Sequence, residues 1–597
     1  MRKKFQEIFG KTDGVLRRYP LVLVMALLGA VFLIAMSQEN QDKQTEFIFA
    51  KYALICTLGI SLTFGLNMLS ERIGKVIPLQ IAGVLFLAIF YYILPEKEQD
   101  FTEVYAFLLI PIFILSHLLV SFIAFFGKKI ELNFWQYNKN LFINIFLTGV
   151  FTGVLIGGVQ LAIVAVDQLF DFNFQDGYYR NPFIFLSVFG SCFIFLLFNV
   201  EGLKKLEKDS NYPQILKFFT QYILIPLLLI YATILYFYSG KILINWELPR
   251  GWVSYLILAY SVVGILAILL VHPLKEEASK SWVKVFSKIF YFTLIPLLLL
   301  LFTSIFTRIL EYGYTEPRYF VLILALWLAS VVIYFILKKN GTIKFIPVSL
   351  FIFGLFALIF PYLNAFSVAK RSQNTELKKI LKDENLLKEG KINFEAKIPS
   401  QVSAEIADKF KFLAERKETD LLLNLLQKNQ QIKFSNNVEK GDFFGIQKLI
   451  GSNFKNTYYS PAIIDASTTQ TTTLLVKNFS IPISEYQYLF KADRYNKNSF
   501  QFDSNTLELN IPQNNFSSEI SLTYNGTKIN LKNDLERLFK LYPAQGEIEV
   551  DNLFIDKKIN NYEFKILLDS VIRSREPNGK ISYWINSDSV LILVKKN

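Results

Sequence analysis

The sequence predicts an all-α polytopic membrane bundle of about eleven transmembrane helices, followed by an extracytoplasmic α+β domain. Three observations predict it. Apolar residues make up 52% of the 597-residue chain and mean hydropathy is +0.34, too apolar for a soluble globular protein. Apolar runs long enough to cross a bilayer recur up to about residue 364. From about Ser367 such runs stop and Lys, Asn, Asp, Glu and Ser take over. The expected domains are a basic cytoplasmic segment over 1–19, a transmembrane helical domain over 20–365 and a periplasmic α+β domain over 366–597.

Residues 1–18 are basic and amphipathic, with Arg2, Lys3, Lys4, Lys11, Arg17 and Arg18 ahead of the first apolar run. That run ends in no convincing small-residue cleavage site, so it reads as an uncleaved anchor. Spans are expected at 20–36, 46–70, 77–94, 103–126, 141–170, 182–200, 213–238, 252–271, 285–309, 319–337 and 343–364. With the amino terminus in the cytoplasm, twenty Lys and Arg fall on the inner side and six on the outer. This bias holds loop by loop and sets the orientation. An odd number of spans then places everything after residue 365 outside the cytoplasm. The net charge of +13 is a topology signal, because the basic residues sit in short loops between spans, and nucleic acid is not an expected partner.

The run 141–170 is expected in the middle of the bundle. Gly149, Gly153 and Gly157 recur every four residues, a stripe against which neighbouring helices can pack closely. Gln160 and Asp167 continue that stripe, and Asn144, Thr148 and Thr152 form a second polar stripe beside it. A faint repeat links Tyr222-Ile-Leu-Ile-Pro226-Leu-Leu-Leu with Phe292-Thr-Leu-Ile-Pro296-Leu-Leu-Leu, and the two prolines are expected to bend equivalent helices. In the polar part, helical periodicity covers 372–388 and 401–428, with Ile406, Phe410, Leu413, Leu421 and Leu425 on a buried face. Strands are expected at 461–466, 471–477, 497–511, 517–523 and 546–555. A final hairpin is expected with strands near 580–586 and 589–595, turning at Asn586-Ser587-Asp588-Ser589.

Polar residues near span ends form a candidate outer-interface cluster: Asp167, Glu247, Arg250, Arg308, Glu311, Thr315, Glu316 and Arg318. Carboxylates and guanidinium groups at that level either recognise a phosphate or acidic head group or pair with one another as anchors. His117, Asn144 and Gln160 are the candidate intramembrane polar groups, His117 as proton relay or as a hydrogen bond to a neighbour. Cys56 and Cys192 lie in apolar spans and have no metal spacing. No phosphate-cradling loop or nucleophile elbow appears, and the exported domain has neither histidine nor cysteine. No cofactor or metal is expected, and the balance points to binding or support over catalysis. The expected partners are membrane lipids and, through the exported domain, other envelope proteins.

The segment Tyr312-Gly-Tyr-Thr-Glu-Pro-Arg318-Tyr-Phe precedes an apolar helix containing Trp327. With the basic amino terminus, the many spans and the extracytoplasmic tail, it resembles an uncharacterised bacterial multi-pass membrane family, domain of unknown function 4153, over roughly 15–365. The resemblance implies a bacterial inner-membrane protein, supplies no activity, and directs attention to Thr315 and Arg318. The leading reading is an envelope protein that anchors an exported domain and acts in assembly, sensing or transport of an envelope component. Two others stand beside it: a transporter of a small or lipidic solute, with a polar cavity reaching Gln160 and Asp167, and a lipid-linked transferase. The transferase would use Asp167, Glu247 or Glu316 as base and Arg308 or Arg318 to hold a phosphate.

Overall fold

Long apolar helices occupy the first 360 residues of the computed structural model. It describes residues 2–38, 41–127, 130–208, 214, 218–245, 252–272, 281–338, 341–454, 456–458, 470–476, 482–493, 498–510, 520–542, 546–575, 581–585 and 589–596. Among the described residues, nine helices are long and apolar enough to cross a membrane, or ten if the bent pair Gly10–Arg18 and Pro20–Met36, which meet at 91°, counts as one span. The expected eleven falls short at its two ends. Pro20–Met36 has 17 residues and Phe345–Ile359 has 15. At about 1.5 Å per residue both are shorter than the roughly 30 Å of a hydrocarbon core, a mismatch that a short span meets by thinning the bilayer around it.

The prolines of the repeat sit in different settings. Pro296 lies inside the continuous helix Ser281–Tyr312. Pro226 follows a wide π turn, Phe219–Leu224, which leads into Ile225–Asn245. A π turn is one way a helix absorbs a disturbed backbone ladder.

The chain forms two compact units, one of residues 1–396 and 404–454, the other of residues 397–403 and 455–597. The change of composition near Ser367 therefore does not coincide with the division between units. In the first unit one core joins the helices from Phe219 to Leu337, around Ile257, Phe290, Leu294, Leu301 and Leu328. A second joins the amino-terminal helices around Tyr19, Met68, Phe125, Tyr137 and Leu196. Trp135 Nε1 donates to Leu269 O at 2.7 Å between them. Five further helices among the described residues belong to the same unit: Ala365–Asp383, the greater part of Ser400–Glu415, Thr419–Leu425, Lys428–Glu439 and Phe443–Asn453. The expected helical stretch 372–388 ends at Asp383, and 401–428 is broken into Ser400–Glu415 and Thr419–Leu425. Ile406, Phe410 and Leu413 are fully buried as expected, but after the break Leu422 and Leu426 are buried in place of Leu421 and Leu425, which are half-buried.

Glu131–Phe170 is one helix of 40 residues, starting ten residues before the expected span. Its position corrects the sequence reading. Phe134, Trp135, Tyr137 and Leu141 are buried, but Thr152 is the last buried residue on it, and beyond that point Val154, Leu161, Leu169 and Phe170 are exposed. A Cβ built on Gly149, Gly153 or Gly157 meets nothing within 4 Å. Most of the distal half is apolar, so outside the side held by Gln160 and Asp167 it needs no neighbour to cover it if lipid does.

In the second unit three four-stranded sheets share one core that includes Leu474, Leu507, Leu522, Phe564 and Ile592. Gly546–Glu549 runs parallel to Gln470–Leu475, which pairs antiparallel with Ser570–Arg575 and, through it, Ile581–Ile585. A second sheet is ordered Phe554–Ile559, Tyr562–Leu567, Ser589–Lys596, Tyr488–Asp493. The third is an antiparallel meander of Asn498–Phe502, Asn505–Asn510, Ser521–Tyr524 and Thr527–Asn530. The two last strands exist where expected but are no hairpin: Ile581–Ile585 pairs in the first sheet and Ser589–Lys596 in the second. Tyr583 and Ile585 of the one, and Val590, Ile592 and Val594 of the other, are buried in the shared core, which each faces from its own sheet. The expected strand 461–466 and residues 586–588 of the expected turn lie outside the described residues.

Candidate functional site

Five of the eight outer-interface residues that the sequence singled out, Arg308, Glu311, Thr315, Glu316 and Arg318, lie at the turn between Ser281–Tyr312 and Glu316–Leu337. Gly313 makes this turn with φ of +72°, a left-handed conformation that only glycine adopts cheaply. Thr315 holds extended backbone at the start of the next helix, where its side chain makes no capping bond. Arg318 folds back over the turn, its Nη1 donating to Gly313 O at 2.8 Å and Tyr312 O at 3.2 Å. Its guanidinium stands 5.3 Å from the centre of the Tyr312 ring, and that of Arg308 stands 5.8 Å from the same ring. Both contacts fall within the range of cation–π attraction. Glu311 is exposed on the turn before.

The polar helices clasp this turn. Gln373 Nε2, on Ala365–Asp383, donates to Tyr312 O and Tyr314 O, each at 2.9 Å, while its Oε1 accepts from Lys409 Nζ at 3.2 Å. Tyr314 N donates to Ser372 Oγ at 2.8 Å. Two carbonyls and an N–H that a helix-to-helix turn leaves without helical partners are thereby satisfied.

Arg416 and Glu316 complete the clasp. Arg416 Nε and Nη2 donate to Glu316 Oε1 and Oε2 at 2.7 and 2.8 Å, in fork-to-fork geometry, with side-chain exposures of 5% and 0%. The guanidinium also lies 3.3 Å from the centre of the Phe412 ring. A cavity of about 330 Å³ adjoins the pair, lined by Glu103, Thr315, Lys411, Glu415, Arg416 and Gln447 among others. Burial pushes the Glu415 carboxyl above the usual carboxylate range, against the pull of Arg416 and Lys411.

The remaining expected residues are placed elsewhere. Asp167 ends its own helix, its oxygens accepting from Phe174 N at 2.8 Å and Tyr179 Oη at 2.6 Å. Gln160 Nε2 donates to Tyr179 O at 2.8 Å, so the two fasten Glu131–Phe170 to the helix after it. Asn144 Nδ2 donates to Asn199 Oδ1 at 3.0 Å. His117 is exposed and its Nδ1 lies 2.8 Å from Phe113 O, one turn back on its own helix. Glu247 and Arg250 lie outside the described residues. Among the described residues no group of three or more His, Cys, Asp or Glu could hold a metal ion.

Arg416, Gln373 and Ser372 were missed by sequence reasoning. The signal for Arg416 was present: it follows Leu413 by three residues, on the same face as the buried Ile406–Phe410–Leu413 stripe, where a guanidinium needs a partner.

The family described as a domain of unknown function, DUF4153, matches residues 17–387, more than half of the chain. The chain belongs to this family. The matched residues include the whole Tyr312–Arg318 turn and the Gln373 that clasps it, and stop short of Arg416. An uncharacterised protein of Pasteurella multocida (strain Pm70) is 23% identical over 424 residues, 69% of this chain and 68% of the relative. No solved structure matches significantly.

Proposed function

We propose that this DUF4153 protein is a bacterial inner-membrane anchor that carries a strand-rich domain on the periplasmic side and serves assembly or sensing of an envelope component without catalysis. One observation carries the reading: Glu316 and Arg318 of the outer polar cluster are spent on the protein itself. Glu316 is paired with Arg416, and Arg318 donates to the carbonyls of its own turn. In a transferase the guanidinium would hold a substrate phosphate and the carboxylate would face the group it deprotonates. A buried, fully paired ion pair fixes a geometry, which suits a fastening. The basic loops support the orientation, with the clasp and all that follows outside the cytoplasm.

Reporter fusions test the placement. Alkaline phosphatase fused after Asn597 or after Asn453 is expected to be active, and fused after Leu337 inactive, with a cytoplasmic fluorescent reporter giving the reverse. An inactive phosphatase after Asn597 overturns the periplasmic assignment.

A further inference from the structure

Between the helices Lys43–Ile73, Val76–Ile93, Ala106–Phe122 and Phe345–Ile359 runs an apolar groove of about 640 Å³, within the size range of ligand pockets. Leu62, Phe90, Ile112 and Leu355 are among its walls, and the polar group on it, Ser116, already shares a hydrogen bond with Ser61 at 2.8 Å. Glycines shape it. A Cβ on Gly83 would stand 2.6 Å from Leu66, and one on Gly354 2.7 Å from Leu115, both of which are lining leucines. Such a lining offers a hydrocarbon chain dispersion contacts on several sides, which an open helix face does not.

One end of the groove is marked by charge. Phe366 lines it at the start of Ala365–Asp383. Lys370 lies one turn further on the same helix face, and Arg371 follows. Arg371 is exposed and donates through Nη2 to the carbonyl of Tyr362, three residues past Ile359, which also lines the groove. Lys370 is paired with Glu418 at 2.6 Å. A guanidinium has five donors, suited to a phosphodiester. A chain-sized apolar slot with basic residues at one end has the polarity of a single phospholipid.

We propose that this groove is a lipid site that holds one acyl chain of an anionic glycerophospholipid, with its phosphate at Arg371. The site rests on the bundle's lying in a membrane and does not depend on which way round it lies, so its failure and that of the topology reading are distinguishable.

Native mass spectrometry of the full-length protein, washed in mild detergent and supplied with phosphatidylglycerol, is expected to show one retained lipid. Ala82→Trp fills the groove from its wall and is expected to cut occupancy at least tenfold. Val84→Trp makes the same change on the same helix at an exposed residue away from the groove and is expected to leave occupancy unchanged. Arg371→Gln is expected to abolish the preference for phosphatidylglycerol over phosphatidylethanolamine. Absence of retained lipid in the wild type, or equal occupancy in the two tryptophan variants, overturns the proposal. Should Ala82→Trp fail to fold, a phospholipid with a diazirine on its acyl chain decides on the wild type. Adducts concentrated on 103–125 and 345–359 support the site; adducts spread equally over the exposed half of Glu131–Phe170 overturn it.

Discussion

The turn at Tyr312–Arg318 and the helix Glu131–Phe170 both drew attention by their glycines and polar residues, and the protein treats them in opposite ways. At the turn, Gly313 is wedged under Ser372 and Gln373, and nearby side chains are tied to other elements. On the helix, three glycines spaced four apart face open space. The difference lies in what each sequence obliges the chain to do. A turn exposes backbone groups and a buried carboxylate demands a cation, so partners must be supplied. An apolar helix already satisfies its own backbone and can stand in lipid without neighbours. Small residues permit close approach; they do not require it.

The largest effect is expected from breaking the clasp. Arg416→Ala leaves Glu316, fully buried, without its cation, a loss of about 3–5 kcal/mol for a pair of this kind. It is measured as a lower melting temperature in detergent and as faster proteolysis between residues 365 and 454. Replacing both members, with Glu316→Leu and Arg416→Met, is expected to recover most of that loss. A double variant as weak as the single one would mean that the pair contributes more than mutual neutralisation.

A matched pair of alanine substitutions sharpens the contrast. Gly313→Ala forces a Cβ onto a residue at φ +72°, 2.9 Å from Ser372 Oγ and 3.0 Å from Gln373 Nε2, and is expected to cost about 1–3 kcal/mol. Gly153→Ala meets nothing within 4 Å and is expected to be neutral or to stabilise by up to about 1 kcal/mol through helix propensity. Thermal melting of the two variants in one detergent measures both. A destabilised Gly153→Ala, or one whose oligomeric state changes on a sizing column, would show that another subunit covers that face.

The same contrast explains what could be read from the sequence. Nine of the expected spans appear as long apolar helices, because the length of an apolar run is a local property. The turn motif was legible as a set of unusual residues. Its role was not, because Gln373 and Arg416 lie 61 and 100 residues from their partners. Periodicity gave the buried face of Ser400–Glu415 but not what that face packs on. Helix spacing placed the glycines of Glu131–Phe170 on one stripe, and it has no means of saying whether a neighbour stands opposite. The final two strands were legible on either side of Asn586-Ser587-Asp588-Ser589, which read as a hairpin turn. Ile581–Ile585 pairs with the strand before it, Ser570–Arg575, and Ser589–Lys596 reaches past both to Tyr562–Leu567 and Tyr488–Asp493, pairings that proximity in the chain does not reveal.

The smallest effect separates the clasp from the strand-rich unit by the sign of its pH response. Burial raises the Glu415 carboxyl above its ordinary value of 4.5, so the folded state holds that proton more tightly than the unfolded one. Its contribution to stability is complete below 4.5 and is lost as pH rises through the raised value. Asp503 is the reverse. Hydrogen bonds from Tyr488 and Tyr562 and the nearby Lys596 hold it below its ordinary 3.8, so its contribution is present above that value and is lost as pH falls through the lowered one. Glu415→Gln is therefore expected to flatten the decline in the bundle unit's melting temperature above the ordinary carboxylate range. Asp503→Asn is expected to weaken the strand-rich unit near neutral pH and to reduce its acid sensitivity, of which Glu485 and Glu563, also held below their ordinary values by lysines, keep a share. If Glu415→Gln left the bundle's pH profile unchanged, the cavity beside Arg416 would be open to water in the folded protein, and the clasp would rest on the Glu316 pair alone.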